Sequence, residues 1–355
     1  MKNCDIAGVF KIFLCCVGTV IGAGFASGQE IMSFFVNYNI YGAIGIIVSG
    51  ILFFAYIYVV LKKIYLYNID DFSHYFQNIA GKTVSDIIQI ISYGFMFASF
   101  CVMVSGSGAV AEQLFSAKSF GIYFMAILCF FVFLKGCDGM VIVNAVMTPL
   151  ITVGILIVGI YALITADVPT FSNGALSVVT DNFFISALVY VSYNTVTLIG
   201  VLLPLKDKIK SPKTPIFAGL LSGGTLCVMG VILWASMFIF KDELYKVDVP
   251  MLYISSKVGF LMEWLYAGVL YMAMITTAVS SGYALLMFVK KHLKVKESIL
   301  SAILCAVSVP MAYIGFADLV NKLYRFFGFL GMFVLVLVLF DGIKIKNLQK
   351  PLTKA

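Results

Sequence analysis

The chain has 355 residues, 62% of them hydrophobic and only 12% charged, with a mean hydropathy of +1.04; a water-soluble enzyme or binding module is excluded. Its net charge of +7 sits at the ends of apolar segments. That placement marks membrane flanks and excludes a nucleic-acid-binding surface.

Roughly 20 apolar residues cross a hydrocarbon core about 30 Å thick, so the length accommodates about ten spans and no separate soluble domain. Apolar runs place them near 7–35, 41–61, 84–114, 119–135 and 140–166, then 178–204, 214–240, 259–289, 298–315 and 319–341. The expected organisation is a single all-α transmembrane domain: a first five-helix repeat over 1–166, a second over 167–341 and a tail over 342–355. Lys62, Lys63, Lys82, Lys135 and the clusters Lys206–Lys213, Lys290–Lys296 and Lys344–Lys354 fall on one side. The positive-inside rule then puts both termini in the cytoplasm. Five spans is an odd number, so the halves are inverted, a plan in which the first span of each half tends to be broken near the midplane.

The first span carries Gly18, Gly22, Gly24 and Gly28. Each glycine weakens a helix by roughly 1 kcal/mol, although the Gly18/Gly22 and Gly24/Gly28 spacing also suits close helix packing. Ser27-Gly28-Gln29-Glu30 fits a capping box. It predicts an inner half-helix ending near Ile21, an unwound stretch, and an outer half beginning near Ser27. Irregular backbone at this depth is tolerated only inside protein or around a water-filled cavity, so a ligand site is its natural use. Glu30, the only acidic residue of the span, is either the cap or a functional group that serves proton coupling or a substrate amine.

In the third span, Ser105-Gly106-Ser107-Gly108 reads as close packing, with the border of a substrate cavity as the alternative. The sixth concentrates polar groups in Tyr190-Val191-Ser192-Tyr193-Asn194-Thr195-Val196-Thr197, with no glycine in the run. In the eighth, Thr277, Ser280 and Ser281 share one helix face. They either offer oxygens to a small hard cation such as Na⁺ or bond to their own preceding turn. The eight cysteines are scattered and form no CxxC pair, and His74 and His292 have no ligand-spaced neighbour, so no metal site beyond Na⁺ and no cofactor is expected. No P-loop, nucleophile elbow or paired ligand set occurs, so the chain is not expected to be an enzyme.

The glycine-rich first span, the polar sixth and the hydroxyl face of the eighth together resemble the amino acid/polyamine/organocation superfamily with the LeuT fold. The run GTVIGAGFASGQE at 18–30 further resembles the YkvI-like bacterial membrane proteins. The resemblance implies broken first and sixth helices. It implies a sodium site from the carbonyls of Gly18 and Ile21 with Thr277, Ser280 and Ser281. It also implies solute contacts from Gly22, Ala23, Gly24 and Phe25 and from Tyr190, Ser192, Tyr193 and Asn194. Some sodium-independent relatives place a fifth-span lysine at the cation position, and residues 140–166 contain none, which favours Na⁺ over H⁺. The chain departs from the pattern at the sixth-span glycine and at Phe25, where many members carry a polar residue. The expected function is cation-coupled transport of a small amino acid or related solute across the cell membrane, with lipid and solute as partners. The alternative is a ligand-sensing subunit of the same fold, resembling the permease-like subunits of spore-germinant receptors.

Overall fold

The computed structural model describes residues 5–69, 71–165, 182–244, 247, 249–293 and 295–348. Cys4, Lys294, the polar stretch from Asp167 to Asp181 and the chain beyond 348 lie outside the described residues. Every regular element among the described residues is helical. In chain order these are α1 (Ile6–Val20), α2 (Ala23–Ser27), α3 (Gln29–Phe34), α4 (Ile40–Tyr67), α5 (Phe72–Ala80), α6 (Lys82–Phe115), α7 (Lys118–Phe133) and α8 (Gly136–Thr165). There follow α9 (Phe183–Leu202), α10 (Thr214–Ile239), α11 (Pro250–Val258), α12 (Phe260–His292), α13 (Glu297–Ala312), α14 (Phe316–Leu319) and α15 (Arg325–Leu348). Among them α4, α6, α8, α9, α10, α12 and α15 are long and apolar enough to cross a membrane, while α1, α7 and α13 are shorter apolar helices.

Helix starts follow local chemistry. The Asp5 carboxylate accepts the Gly8 amide at the head of α1, Asp71 accepts that of His74 at the head of α5, and Asn182 accepts that of Phe184 at the head of α9. Each satisfies an amide that the first turn leaves free. The last helix continues to Leu348, past Gly342 and beyond the span expected to end at 341.

Lipid gives apolar side chains no reason to prefer protein, so close backbone approach has to hold the spans together. Helices α4 and α10 meet through Gly50 and Gly223: a Cβ added at Gly50 would lie 2.6 Å from the Cβ of Cys227 and 3.1 Å from the Gly223 carbonyl. The Ser105 hydroxyl donates to the Ala312 carbonyl at 2.7 Å and that of Ser107 to the Gly121 carbonyl at 3.0 Å. This is the packing role expected for that run. Helix contacts also obey an exchange of halves. Just as α1 packs on α8 and α10, α9 packs on α15 and α4, and the short helices α5 and α11 follow α4 and α10 respectively.

Burial separates centre from periphery. In its most apolar stretch α9 is 89% buried, against 33% for α8 and 28% for α15, so α9 belongs to the centre. On α8 the exposed Ile142, Val146, Leu150, Val153 and Ile157 recur every three or four residues and form a lipid-facing stripe.

Two expectations are corrected. The first span is broken twice, at Ile21–Gly22 and again at Gly28, where φ is +85°; the outer half therefore starts at Ala23, not near Ser27. The sixth span is not broken, since α9 runs unbroken from Phe183 to Leu202. Its polar side chains bond to their own helix: Ser192 donates to Leu188, Asn194 to Tyr190 and Thr195 to Ser192 carbonyls. With no glycine to lower the cost of unwinding, the helix keeps its ladder.

Candidate functional site

The break in the first span begins where α1 runs out. Its last four carbonyls have no helical partner, and each is met individually. That of Val17 takes the Ile21 amide and that of Val20 the Gly22 amide, both at 2.9 Å. Those of Gly18 and Thr19 share the Thr277 hydroxyl of α12, at 3.3 and 3.0 Å. Gly22 is extended and seats against Thr277, whose Oγ1 would lie 3.2 Å from a Cβ added there. Further along α12 the hydroxyl of Tyr266 donates to the Ala26 carbonyl of α2. Thr277 and Tyr266 stand eleven residues apart, about 16 Å along the helix, so one straight helix holds both sides of the break.

Beside Gly18 lies Asn144 of α8. Its amide nitrogen donates to the Met140 carbonyl at 2.9 Å and to the Ser280 hydroxyl at 3.1 Å. The first bond fixes which way the amide points, and its Oδ1 is buried with no donor. A Cβ at Gly18 would overlap that Oδ1 and the Thr148 hydroxyl, which itself donates to the Leu14 carbonyl at 3.1 Å. Gly18, Thr277, Ser280 and Asn144 therefore neighbour one another in a fully packed region, and each offers a neutral oxygen. Such a donor set fits a hard monovalent cation. Among the described residues no three His, Cys, Asp or Glu side chains cluster as metal ligands.

On the other side of the break the Glu30 side chain, on α3, folds back over Gly24. A methyl at Gly24 would overlap its carboxylate oxygen and come within 2.7 Å of its Cδ and Cγ. Glu30 is 4% exposed and faces the Tyr193 hydroxyl, while the buried hydroxyl of Tyr190 has no hydrogen-bond partner. Those hydroxyls, and that of Tyr324 just before α15, lie within electrostatic reach of the carboxylate. Phe34 and Phe35 pack on Tyr190 with ring centroids 5.7 and 5.0 Å away. Tyr193 stacks on Tyr324 at 5.0 Å.

The structure thus brings Gly18, Thr277 and Ser280 together, and separately joins Gly24, Glu30, Tyr190 and Tyr193. Gly22 forms the break, and Ile21 closes α1; Ala23, Gly24 and Phe25 lie within helix α2, not in an unwound stretch. Phe25 lines a narrow apolar crevice with Tyr190. Ser281 bonds back to the Thr277 carbonyl at 2.7 Å, and Ser192 and Asn194 bond within α9. Ser27 is not an N-cap: it ends α2, donates to the Gly24 carbonyl at 3.1 Å and accepts the Gln29 amide at 3.3 Å. Glu30 does not close a capping box, because the αL turn at Gly28 ends one helix and opens the next. Asn144, Thr148, Tyr266 and Tyr324 escaped the sequence reading. Asn144 was the one with a signal, as an amide inside a long apolar run.

No family model matches the chain. The membrane protein YkvI of Bacillus subtilis (strain 168), itself uncharacterized, is 27% identical over 325 residues, covering 89% of this chain and 91% of YkvI. The uncharacterized YyaD of the same organism is 23% identical over 329 residues, covering 93% and 95%. A Na⁺-coupled sialic acid symporter superposes with a TM-score of 0.64 at 10% identity, over 92% of this chain and 79% of the symporter. The fold is that of the LeuT-like transporters. MhsT in complex with L-phenylalanine shares it, with a TM-score of 0.61 at 13% identity over 92% of this chain and 88% of MhsT. The expected resemblance is confirmed for fold and for YkvI. YkvI is a membrane protein and the sialic acid protein a Na⁺-coupled symporter.

Proposed function

We propose that the protein is a cation-coupled secondary transporter, driven by Na⁺, that carries a small amino acid or related organic solute across the bacterial cell membrane by alternating access. The observation that carries this reading is the broken first span, whose terminal carbonyls are held by the α12 hydroxyl Thr277 beside the donorless Oδ1 of Asn144. An oxygen cluster built on a helix end near the middle of the chain's most buried helices suits a coupling ion, and the exchange of packing partners between halves supports ten spans in an inverted five-plus-five repeat. The lysine distribution supports cytoplasmic termini. All donors of the cluster are neutral, which supports a monovalent ion over a divalent one.

Alternating access then works through a cluster that the two halves share. Gly18 and Asn144 belong to the first half and Thr277 and Ser280 to the second, so an ion bridging them favours the arrangement in which the halves meet. The test is uptake of radiolabelled amino acids and alkylamines into proteoliposomes under an inward Na⁺ gradient, with K⁺ as control. Accumulation that needs Na⁺ and is lost in Ser280→Ala supports the reading. Saturable binding without uptake would overturn it in favour of a ligand-sensing subunit.

A further inference from the structure

We infer that the solute is an organic amine carrying no carboxylate of its own, held by the Glu30 carboxylate inside the ring cluster of Tyr190, Tyr193 and Tyr324. The inference rests on the transporter reading and names the chemistry of its solute.

In broken-helix transporters the second half-helix generally opens toward an anionic group of the solute. Here a carboxylate already stands there, and it belongs to the chain. The αL turn at Gly28 swings α3 so that Glu30 reaches back over Gly24, the second residue of α2, and only glycine leaves it room. A solute carboxylate brought to the same place would put two carboxyls in one poorly solvated site, where they cannot both ionise cheaply, a cost that selects against zwitterionic amino acids.

The remaining polar groups ask for a cation with several donors. The Tyr193 hydroxyl faces the Glu30 carboxylate, the Tyr190 hydroxyl is buried and unpartnered, and leaving such an atom unmet is costly. No ion pair among the described residues involves Glu30. An ammonium has three N–H donors and no acceptor, which matches one carboxylate and two phenol oxygens. The walls match as well, because an alkylammonium is attracted to aromatic faces, and Phe34, Tyr190, Tyr193 and Tyr324 are linked ring to ring at 5.0–5.8 Å. A bare metal ion gains less from such walls and has its own neutral-oxygen cluster across the break. The rings meet in this structure, so filling the site requires Tyr190 and Tyr193 to part.

The experiment measures binding to the purified full-length protein in fixed NaCl for two matched pairs, phenethylamine with phenylalanine and 3-methylbutylamine with leucine. Each pair differs only by the carboxylate. The amines are expected to bind roughly tenfold or more tighter than their amino acids, with Glu30→Gln weakening the amines by roughly tenfold or more and Tyr193→Phe by roughly threefold. Should Glu30→Gln fail to fold, Glu30→Asp, which keeps the carboxylate and moves it, and Tyr193→Phe, which deletes one hydroxyl, carry the test. Amino acids binding as tightly as amines, unchanged amine affinity in the variants, or no binding of either class at millimolar concentration would each overturn the inference. Na⁺-dependent amino-acid binding and uptake would sink this inference and leave the transport reading standing. Amine binding without uptake would do the reverse.

Discussion

Replacing Thr277 by valine keeps the shape of the side chain and deletes the hydroxyl that serves the Gly18 and Thr19 carbonyls. Leaving buried acceptors without that donor costs about 1–2 kcal/mol in any salt. A bound ion adds a second, separable quantity: at a Na⁺ concentration a hundred times its Kd, the folded state gains about 2.7 kcal/mol. In KCl the variant should therefore be about 1–2 kcal/mol less stable than wild type. In NaCl the gap should open to about 4 kcal/mol, because the variant loses the ion's contribution as well. Thermal unfolding of both proteins in detergent, at equal ionic strength in the two salts, reads each gap. Equal gaps in NaCl and KCl would refute the cation site and leave Thr277 as a clamp alone.

Asn144→Leu should abolish the Na⁺ response in the same assay while changing stability in KCl by less than about 1.5 kcal/mol, because the residue it removes carries an unsatisfied oxygen; a preserved response would exclude Asn144 from the site. Gly28→Ala forces a side chain into φ +85° and within 2.7 Å of the Met237 sulfur, and should cost about 2–3 kcal/mol. Its control, Gly94→Ala, meets nothing within 4 Å and should be neutral or stabilising by up to about 1 kcal/mol, both read from unfolding midpoints. Lys63→Met strands Asp341, whose 2.7 Å ion pair is almost wholly buried, and should cost about 3–5 kcal/mol. Lys257→Ala breaks a pair exposed on both sides and should leave the unfolding midpoint unchanged.

Part of the candidate site is legible in the sequence. The glycines at 18, 22, 24 and 28 announced a discontinuity because glycine is costly in a helix and has no reason to recur at membrane depth unless backbone must approach or unwind. The hydroxyls at 277, 280 and 281 announced a polar face because i, i+3 and i+4 side chains share a side. Local rules misled where two of them competed. Ser27 and Glu30 have capping-box spacing, yet the glycine between them takes an αL conformation that other residues avoid, and a helix end there displaces the box. In the sixth span the polar run resembled a break, yet Ser192, Asn194 and Thr195 return their donors to their own helix.

Membrane insertion, all-helical class, approximate span positions and the site of the first break were determined by the sequence alone, since they depend on hydropathy summed over about 20 residues and on the conformational cost of single glycines. Which oxygens converge was decided only by the tertiary structure. Asn144 stands 126 positions from Gly18 and 136 from Ser280, and Tyr324, from the far end of the chain, stacks on Tyr193. No periodicity within one segment encodes such meetings. They arise because lipid leaves polar groups no solvent, so each buried donor and acceptor must find its partner on another helix, and that choice belongs to the packed whole.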